Sequence, residues 1–368
     1  GLALRYFFGL MSLLLVCVTA LAQPTDNERD APRLSFKHIL PSQIAAIGYI
    51  NSSSQDTQGF MWFGGANGLA RYDGYGITIF RHDDKDPDSL SHSYVNRIML
   101  SRDGNMWVAT RNGINLFDAR QHRFKSFKVS PDASTNDVTW IHEDRKGKIW
   151  LGTRGGLFNF DRQKSVAEKV EDSSIKTNDE SSQVVWSVVD DQNGNLWIAY
   201  QAHGVSRYDP VTHRFEHFKR DAKLPNAHGF NDTRRLYVDN DNNVMAATYG
   251  DGLYKYDTGK REFTKINHDL SEKGATVWSV LSDRNSNLWV GDGSHVHFRP
   301  AQSNYFYRYA YSDLDSASPG NYVVNEIFED RAGDIWMGYF PSGIDMVDRQ
   351  ASAFNNVSYS SNNINSIT

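Results

Sequence analysis

The sequence predicts an all-β protein: a seven-bladed β-propeller of four-stranded antiparallel blades, following a cleavable signal peptide. Three observations carry that reading. The first is periodicity. Trp62, Trp107, Trp150, Trp197, Trp289 and Trp336 each follow Leu, Ile or Met and precede a small-residue turn. Asn243-Val244-Met245-Ala246-Ala247 is a seventh copy, with Met245 in the Trp place. The gaps between these seven positions are 45, 43, 47, 48, 44 and 47 residues, and a fixed period in that range marks a propeller or a solenoid. The second is that each period divides into four short apolar runs bounded by Gly, Asn, Asp and Pro, the pattern of antiparallel sheet. The third is the number of copies. Seven units suit a closed ring, which removes exposed sheet edges.

In chain order, residues 1–23 read as a signal peptide. Arg5 is the basic start, Tyr6 to Val18 the apolar core, and Ala20-Leu21-Ala22 the cleavage motif before Gln23. The apolar run is short for a membrane span of about 20 residues; an uncleaved anchor is the alternative. The only cysteine, Cys17, follows the bulky Val16, which argues against a lipoprotein site. A single Cys also excludes a disulfide framework and a Cys-based zinc site. Residues 24–33 are polar and expected to be a disordered linker. Residues 34–368 form the propeller, with Leu34 to His38 as a lone alternating strand at its start.

The fourth unit shows the plan. Gln183 to Asp190 is strand a, Leu196 to Tyr200 strand b, Val205 to Tyr208 strand c, and Arg214 to Phe218 strand d. Strand c and its turn recur as Gly68 to Asp73, Gly113 to Asp118, Gly156 to Asp161 and Gly252 to Asp257; in the sixth unit, Gly293 to Phe298, the Tyr-Asp ending is lost. The Gly supplies a positive-φ turn and the closing Asp begins the next. Either the Phe36 strand or Phe354 to Tyr359 seals the last blade. The chain opens on Gly1, and Asn365 to Thr368 resembles the lead-in to another strand a, so it reads as part of a longer protein.

The repeat resembles the two-component regulator propeller. The best copies run from Gly104-Asn105-Met106-Trp107 to Gly113-Ile114 and from Gly147-Lys148-Ile149-Trp150 to Gly156-Leu157; the resemblance covers roughly residues 34–368, with Met245 and the sixth unit as departures. It implies a periplasmic sensor domain of a bacterial membrane receptor. In that family the downstream parts are a second propeller, a β-sandwich, a transmembrane helix and a histidine kinase or GGDEF output. Oligosaccharides are the ligands of the best-understood relatives, and a homodimer is the implied assembly.

In a propeller the start of strand a and the b–c loop open on one face around the central channel, the usual ligand site. Counting back ten or eleven residues from each repeat Trp gives Asn96, Arg97, Trp140, Trp186, Arg234, Arg235, Trp278, Asn325 and Glu326. The b–c loops add Asn67, Arg111, Arg154, His203, Tyr249 and Asp251. From these, Arg97, Arg111, Trp140, Arg154, Trp186, Arg234, Tyr249 and Trp278 are the candidate ligand-binding residues. Indole faces cover sugar rings, and guanidinium forks hold carboxylates or hydroxyls; the partner implied is an oligosaccharide or a small organic anion. Trp140, Trp186 and Trp278 could instead pack as core. The repeat tryptophans, Trp62, Trp107, Trp150, Trp197, Trp289 and Trp336, are read as structural, each burying a ring between blades.

No catalytic residue, metal ligand or cofactor is assigned. The acidic a–b turns resemble the Asp-box of sialidase-type propellers. They lack the terminal bidentate Glu of a calcium loop and are expected to be held by Asx hydrogen bonds. His295 with His297, and His213 with His217, share strand faces, and no Asp or Glu stands at metal spacing, so they read as surface residues. The net charge of −5 gives no case for nucleic acid. The competing readings are an exported carbohydrate-active propeller enzyme, a lyase or glycosidase, and a protein-interaction scaffold.

Overall fold

Each period folds as one antiparallel sheet, because four short runs joined by tight turns pair in sequence. A computed structural model describes residues 31–175, 178, 183–221, 223, 227–266 and 275–350. The chain falls into two units, Gly1–Pro32 and Arg33–Thr368; the signal-peptide segment, most of the linker and Phe354 to Tyr359 lie outside the described residues. Among the described residues no helix is long and apolar enough to cross a membrane.

The second unit holds seven four-stranded sheets. Blade 1 has strands a to d at Ile50–Gln55, Met61–Gly65, Gly68–Tyr72 and Ile77–Phe80; blade 2 at Val95–Leu100, Met106–Thr110, Gly113–Asp118 and Arg123–Phe127. Blade 3 has Val138–Glu143, Ile149–Thr153, Gly156–Asp161 and Val166–Val170; blade 4 has Val185–Asp190, Leu196–Tyr200, Val205–Asp209 and Arg214–Phe218. Blade 5 has Thr233–Val238, Val244–Thr248, Leu253–Asp257 and Glu262–Lys265; blade 6 has Ser279–Ser282, Leu288–Gly291, His295–Arg299 and Tyr307–Ala310. Blade 7 has Val323–Glu329, Ile335–Phe340 and Ile344–Val347, and its strand d is Phe36–His38 from the start of the unit. The pairing is Phe36 with Val347 and His38 with Asp345. The N-terminal strand therefore closes the ring.

Burial follows position in the blade. Every strand-b residue is buried except Phe340, whereas strand d of blade 3 exposes Val166, Glu168 and Lys169 and buries none of its residues fully. The repeat Trp sits on strand b and reaches into the next blade. Ring centroids lie 4.9 Å apart for Trp62 and Phe117, 5.8 Å for Trp107 and Phe160, and 6.2 Å for Trp150 and Tyr208. Trp197 meets Tyr256 at 4.9 Å, and Trp336 meets Tyr72 at 5.9 Å across the closure. Those partners are the aromatic residues that precede the closing Asp of strand c. The two ends of the repeat signature are thus one contact between neighbouring blades, worth more than area burial alone.

The small residue two positions after the Trp has a steric cause. A Cβ on Gly64 would lie 2.5 Å from Val95 Cγ1, and one on Gly338 2.4 Å from Ile50 Cγ2. The next blade's strand a packs directly on that backbone.

Candidate functional site

The site is made by one irregularity repeated round the ring. In six blades the register between strands a and b skips a residue. The skipped residues are Asn51, Asn96, Thr139, Trp186, Arg234 and Asn325, each eleven before its repeat Trp or Met245. Trp278 has that place in blade 6, where its backbone N–H donates to Gly291 O at 2.9 Å. A β-bulge re-aims a side chain, and here all these residues line a single cavity of about 420 Å³. Tyr49, Tyr94 and Val323 join from just upstream, Arg111, Arg154 and Phe340 from the b–c side, and Trp140 and Arg235 from the next position along strand a.

Not all of these side chains are available. Asn51 Nδ2 donates to Val95 O at 2.9 Å, Asn96 Nδ2 to Val138 O at 2.8 Å, and Asn325 Nδ2 to Ile50 O at 2.6 Å. The Thr139 hydroxyl donates to Val185 O. Each clasps its blade to the next. Blades 4, 5 and 6 put Trp186, Arg234 and Trp278 in the clasp position, and these project into the cavity. In blades 4 and 6 the following serine takes over: Ser187 Oγ accepts from Leu236 N at 3.1 Å, and Ser279 Oγ donates to Val324 O at 2.9 Å. At the clasp position, one arc of the ring thus carries aromatic and cationic groups in place of amides and hydroxyls.

The floor is an ion-pair plug. The Arg97 guanidinium lies 3.3 Å from both Glu326 carboxylate oxygens, and Arg235 donates to the same carboxylate. Glu326 is buried, and its Oε1 also accepts from Ser53 N at 3.3 Å. Burial pulls Arg97 down to about 10, against the opposing pull of Glu326. Trp140 lies between the two arginines, with Arg97 3.9 Å and Arg235 5.3 Å from its ring centre. Beyond the plug the channel continues past Met99, His142 and Tyr237.

The rim arginines differ in their partners. Arg154 Nε lies 2.7 Å from Asp137 Oδ2. Arg234 pairs with Asp232: its Nη2 donates to Oδ2 at 2.9 Å, while Nε lies 2.9 Å from Oδ1 without the geometry of a hydrogen bond. Burial pushes the Asp232 carboxyl upward, against the pull of Arg234. Arg154 and Arg234 flank Trp186 at 5.4 and 4.7 Å. Arg111 has no carboxylate partner among the described residues; its guanidinium lies 3.6 Å from the Tyr94 ring centre. The Tyr94 hydroxyl is 2.5 Å from that of Tyr49. Burial, with Tyr94 beside it, pushes Tyr49 up to about 12, so Tyr49 stays a neutral hydroxyl. The corner offers a free cation, hydroxyls and aromatic faces, a set suited to an anion with an apolar ring face.

Of the eight candidate ligand-binding residues, Arg111, Trp140, Arg154, Trp186, Arg234 and Trp278 line the cavity. Arg97 lies below them in the plug. Tyr249 supports the wall, its ring 5.8 Å from Trp278 and 5.0 Å from the Arg234 guanidinium. Tyr49, Asn51, Tyr94, Thr139, Val323 and Phe340 line the cavity without having been singled out. The register held the signal: Asn51 and Thr139 stand eleven before a repeat Trp, Tyr49 and Tyr94 thirteen before, and Phe340 four after.

The histidines correct the sequence reading. His297 is buried, not superficial, and its Nε2 lies 2.7 Å from Asp292 Oδ2. His217 is bonded to Ser206 and Ser174 at 2.8 and 2.9 Å and lies 3.6 Å from Asp172. These acids escaped notice because a turn or a neighbouring blade, not helical spacing, brings them to the rings.

Residues 89–112 and 132–155 match the family model described as two component regulator propeller. No curated protein matches the chain. Among solved structures, the extracellular domain of what is described as a hybrid two component system of B. thetaiotaomicron, BT3049, is 22% identical with a TM-score of 0.73. The match covers 86% of this chain and 42% of that one. The corresponding domain of BT4673 from the same organism is 21% identical, with a TM-score of 0.68 over 85% of this chain and 42% of that one. Virginiamycin B lyase from Staphylococcus aureus is 16% identical, with a TM-score of 0.66 over 86% of this chain and 99% of the lyase. At these identities the likeness is one of fold. The chain spans less than half the length of the two B. thetaiotaomicron domains.

Proposed function

We propose that this seven-bladed ring, whose repeats are those of the two-component regulator propeller, is the ligand-sensing domain of an exported signalling receptor. The ligand is an anion with a ring face: an acidic oligosaccharide or a small organic carboxylate. The observation that carries the reading is Arg111, a cation without a carboxylate partner among the described residues, set over Tyr94 at the edge of a cavity that also holds Trp186 and Trp278. A guanidinium in that position gains a charge-assisted, bidentate bond only when an anion arrives. The domain works outside the cytoplasm, in the periplasm, and passes its signal to downstream receptor domains, a second propeller and a β-sandwich, within a homodimer. It acts by binding and not by catalysis; the cavity lining supplies guanidiniums, amides, phenols and indoles.

The lyase likeness supports a second reading, an exported propeller enzyme, since it runs over nearly all of that protein. The two readings part on turnover. A thermal-shift screen of the purified chain against uronate, sialate and neutral oligosaccharides should find one acidic ligand that raises the melting temperature and is recovered intact. Arg154→Ala and Trp186→Ala should remove the shift without unfolding the protein. Stabilisation by none of them would remove the sensing proposal, and cleavage of the bound glycan would turn it into the enzyme reading.

A further inference from the structure

The sixth blade departs from the repeat at one place on the channel-opening side, and the departure is chemical. In blades 2, 3 and 5 strand b ends in Thr110, Thr153 or Thr248, whose hydroxyl donates to the Gly carbonyl that begins strand c at 3.1, 2.8 and 2.7 Å. In blade 6 that position is Asp292, which has no proton to donate. Its Oδ1 instead accepts the hairpin N–H groups of Ser294 at 2.9 Å and His295 at 2.7 Å. Those bonds fix the carboxylate and aim its second oxygen at strand c. There the Nε2 of His297 lies 2.7 Å from Oδ2, while the Nδ1 of His295 is 3.3 Å from Oδ1.

We infer that Asp292, His295 and His297 form a binding site for one Zn²⁺-class divalent cation. The three candidate donor atoms all lie within 4.8 Å of one another. Zinc bonds of about 2.0–2.2 Å to N and O put tetrahedral ligands about 3.5 Å apart, so the cluster needs only a small adjustment. Asp292 and His297 are buried, and among the described residues no Lys or Arg pairs with this carboxylate. The carboxylate is met by hairpin N–H groups and two imidazoles, so a divalent cation held by those imidazoles faces a fixed negative charge. Two imidazoles with one carboxylate suit zinc, nickel or copper and not calcium or magnesium, which take oxygen ligands. Three protein ligands leave one position open, and His295, 29% exposed, marks the side from which an ion enters. On binding, each ring presents a lone pair to the ion and gives up any proton it held there to solvent.

The test uses the purified chain without an affinity tag. Calorimetry with ZnCl₂ should show one ion per chain, and Co²⁺ should give the visible bands of a four- or five-coordinate nitrogen and oxygen site. His295→Ala removes a half-buried ligand and should fold, yet bind Zn²⁺ at least about tenfold more weakly. Asp292→Asn keeps the hairpin acceptor, loses the charge and should weaken binding likewise. No stoichiometric binding, or equal affinity in wild type and both variants, overturns the inference and leaves the cluster a hydrogen-bonded hairpin clamp.

Discussion

A carboxylate six residues upstream explains why the repeat Trp is so well held. The indole N–H of Trp62 donates to Asp56 and that of Trp150 to Asp144, both at 2.8 Å. Trp197 and Trp289 donate to Asp191 and Asp283 at 2.9 Å, and Trp336 to Asp330 at 2.8 Å. The other oxygen of the same Asp accepts turn N–H groups, as Asp144 does from Lys146 and Lys148 at 2.9 Å. One side chain thus shapes the turn and satisfies the buried ring. Blade 2 has Ser101 there, and the buried Trp107 Nε1 has no partner. Trp150→Ala should cost about 3–5 kcal/mol in urea unfolding. Asp144→Ala should cost about 1–3 kcal/mol by stranding the indole donor, whereas Ser101→Ala strands no indole and should cost less.

The closing Asp residues of strand c make stability depend on pH. Backbone N–H groups hold Asp73, Asp161 and Asp209 below the ordinary carboxylate value, led by Gly76, Lys164 and Val211 respectively. A depressed carboxyl stabilises the fold fully above its unfolded value, near about 3.9, and loses that contribution as pH falls through the lower folded value. The melting temperature should therefore drop as pH falls from about 5 toward 3. Asp161→Asn with Asp209→Asn keeps an acceptor and removes the charge, so it should flatten that drop; an unchanged slope would count against the assignment.

At the scale of the element, the decisive piece is the three-residue strand Phe36–His38, which completes blade 7. Phe36 is buried in the cluster that includes Trp289 and Val347. The His38 Nδ1 is 2.5 Å from Asp345 Oδ1, and that carboxylate also accepts from the Tyr339 hydroxyl of strand b at 2.7 Å. Phe36→Ala should cost about 3–5 kcal/mol and open the ring at its seam, read as faster proteolysis within blades 7 and 1. The blades themselves were legible in sequence. Leu196–Tyr200 and Arg214–Phe218 fall on the expected residues, and even the sixth unit, without its Tyr-Asp ending, forms four strands. Closure was not legible, since the Phe36 strand and Phe354 to Tyr359 both offered a short aromatic-bearing run and only pairing with strand c chooses between them. The skipped residue in strand a was also hidden, because a bulge leaves the apolar count unchanged while turning one side chain to a new face.

Across the whole molecule, the Arg97–Glu326–Arg235 plug ties blades 2, 5 and 7 together through the channel. Sequence distances of 229 and 91 residues separate Glu326 from its partners, which is why no local pattern betrayed the pairing. Glu326→Gln leaves two half-buried guanidiniums without their buried counter-ion and should destabilise the fold by about 3 kcal/mol, measured by urea unfolding. Above that floor the ring sorts its six bulge positions and the matching Trp278 into clasps and ligand-facing groups, with Trp186, Arg234 and Trp278 consecutive in blades 4 to 6 and Arg111 facing the cavity from blade 2. The most direct measurement is calorimetric titration of the acidic ligand into wild type and Arg111→Ala, at two salt concentrations. The sensing account expects affinity to fall at least about tenfold on loss of a charge-assisted pair, with much of the salt dependence lost and the melting temperature kept. Equal affinity and equal salt dependence in the two proteins would contradict it.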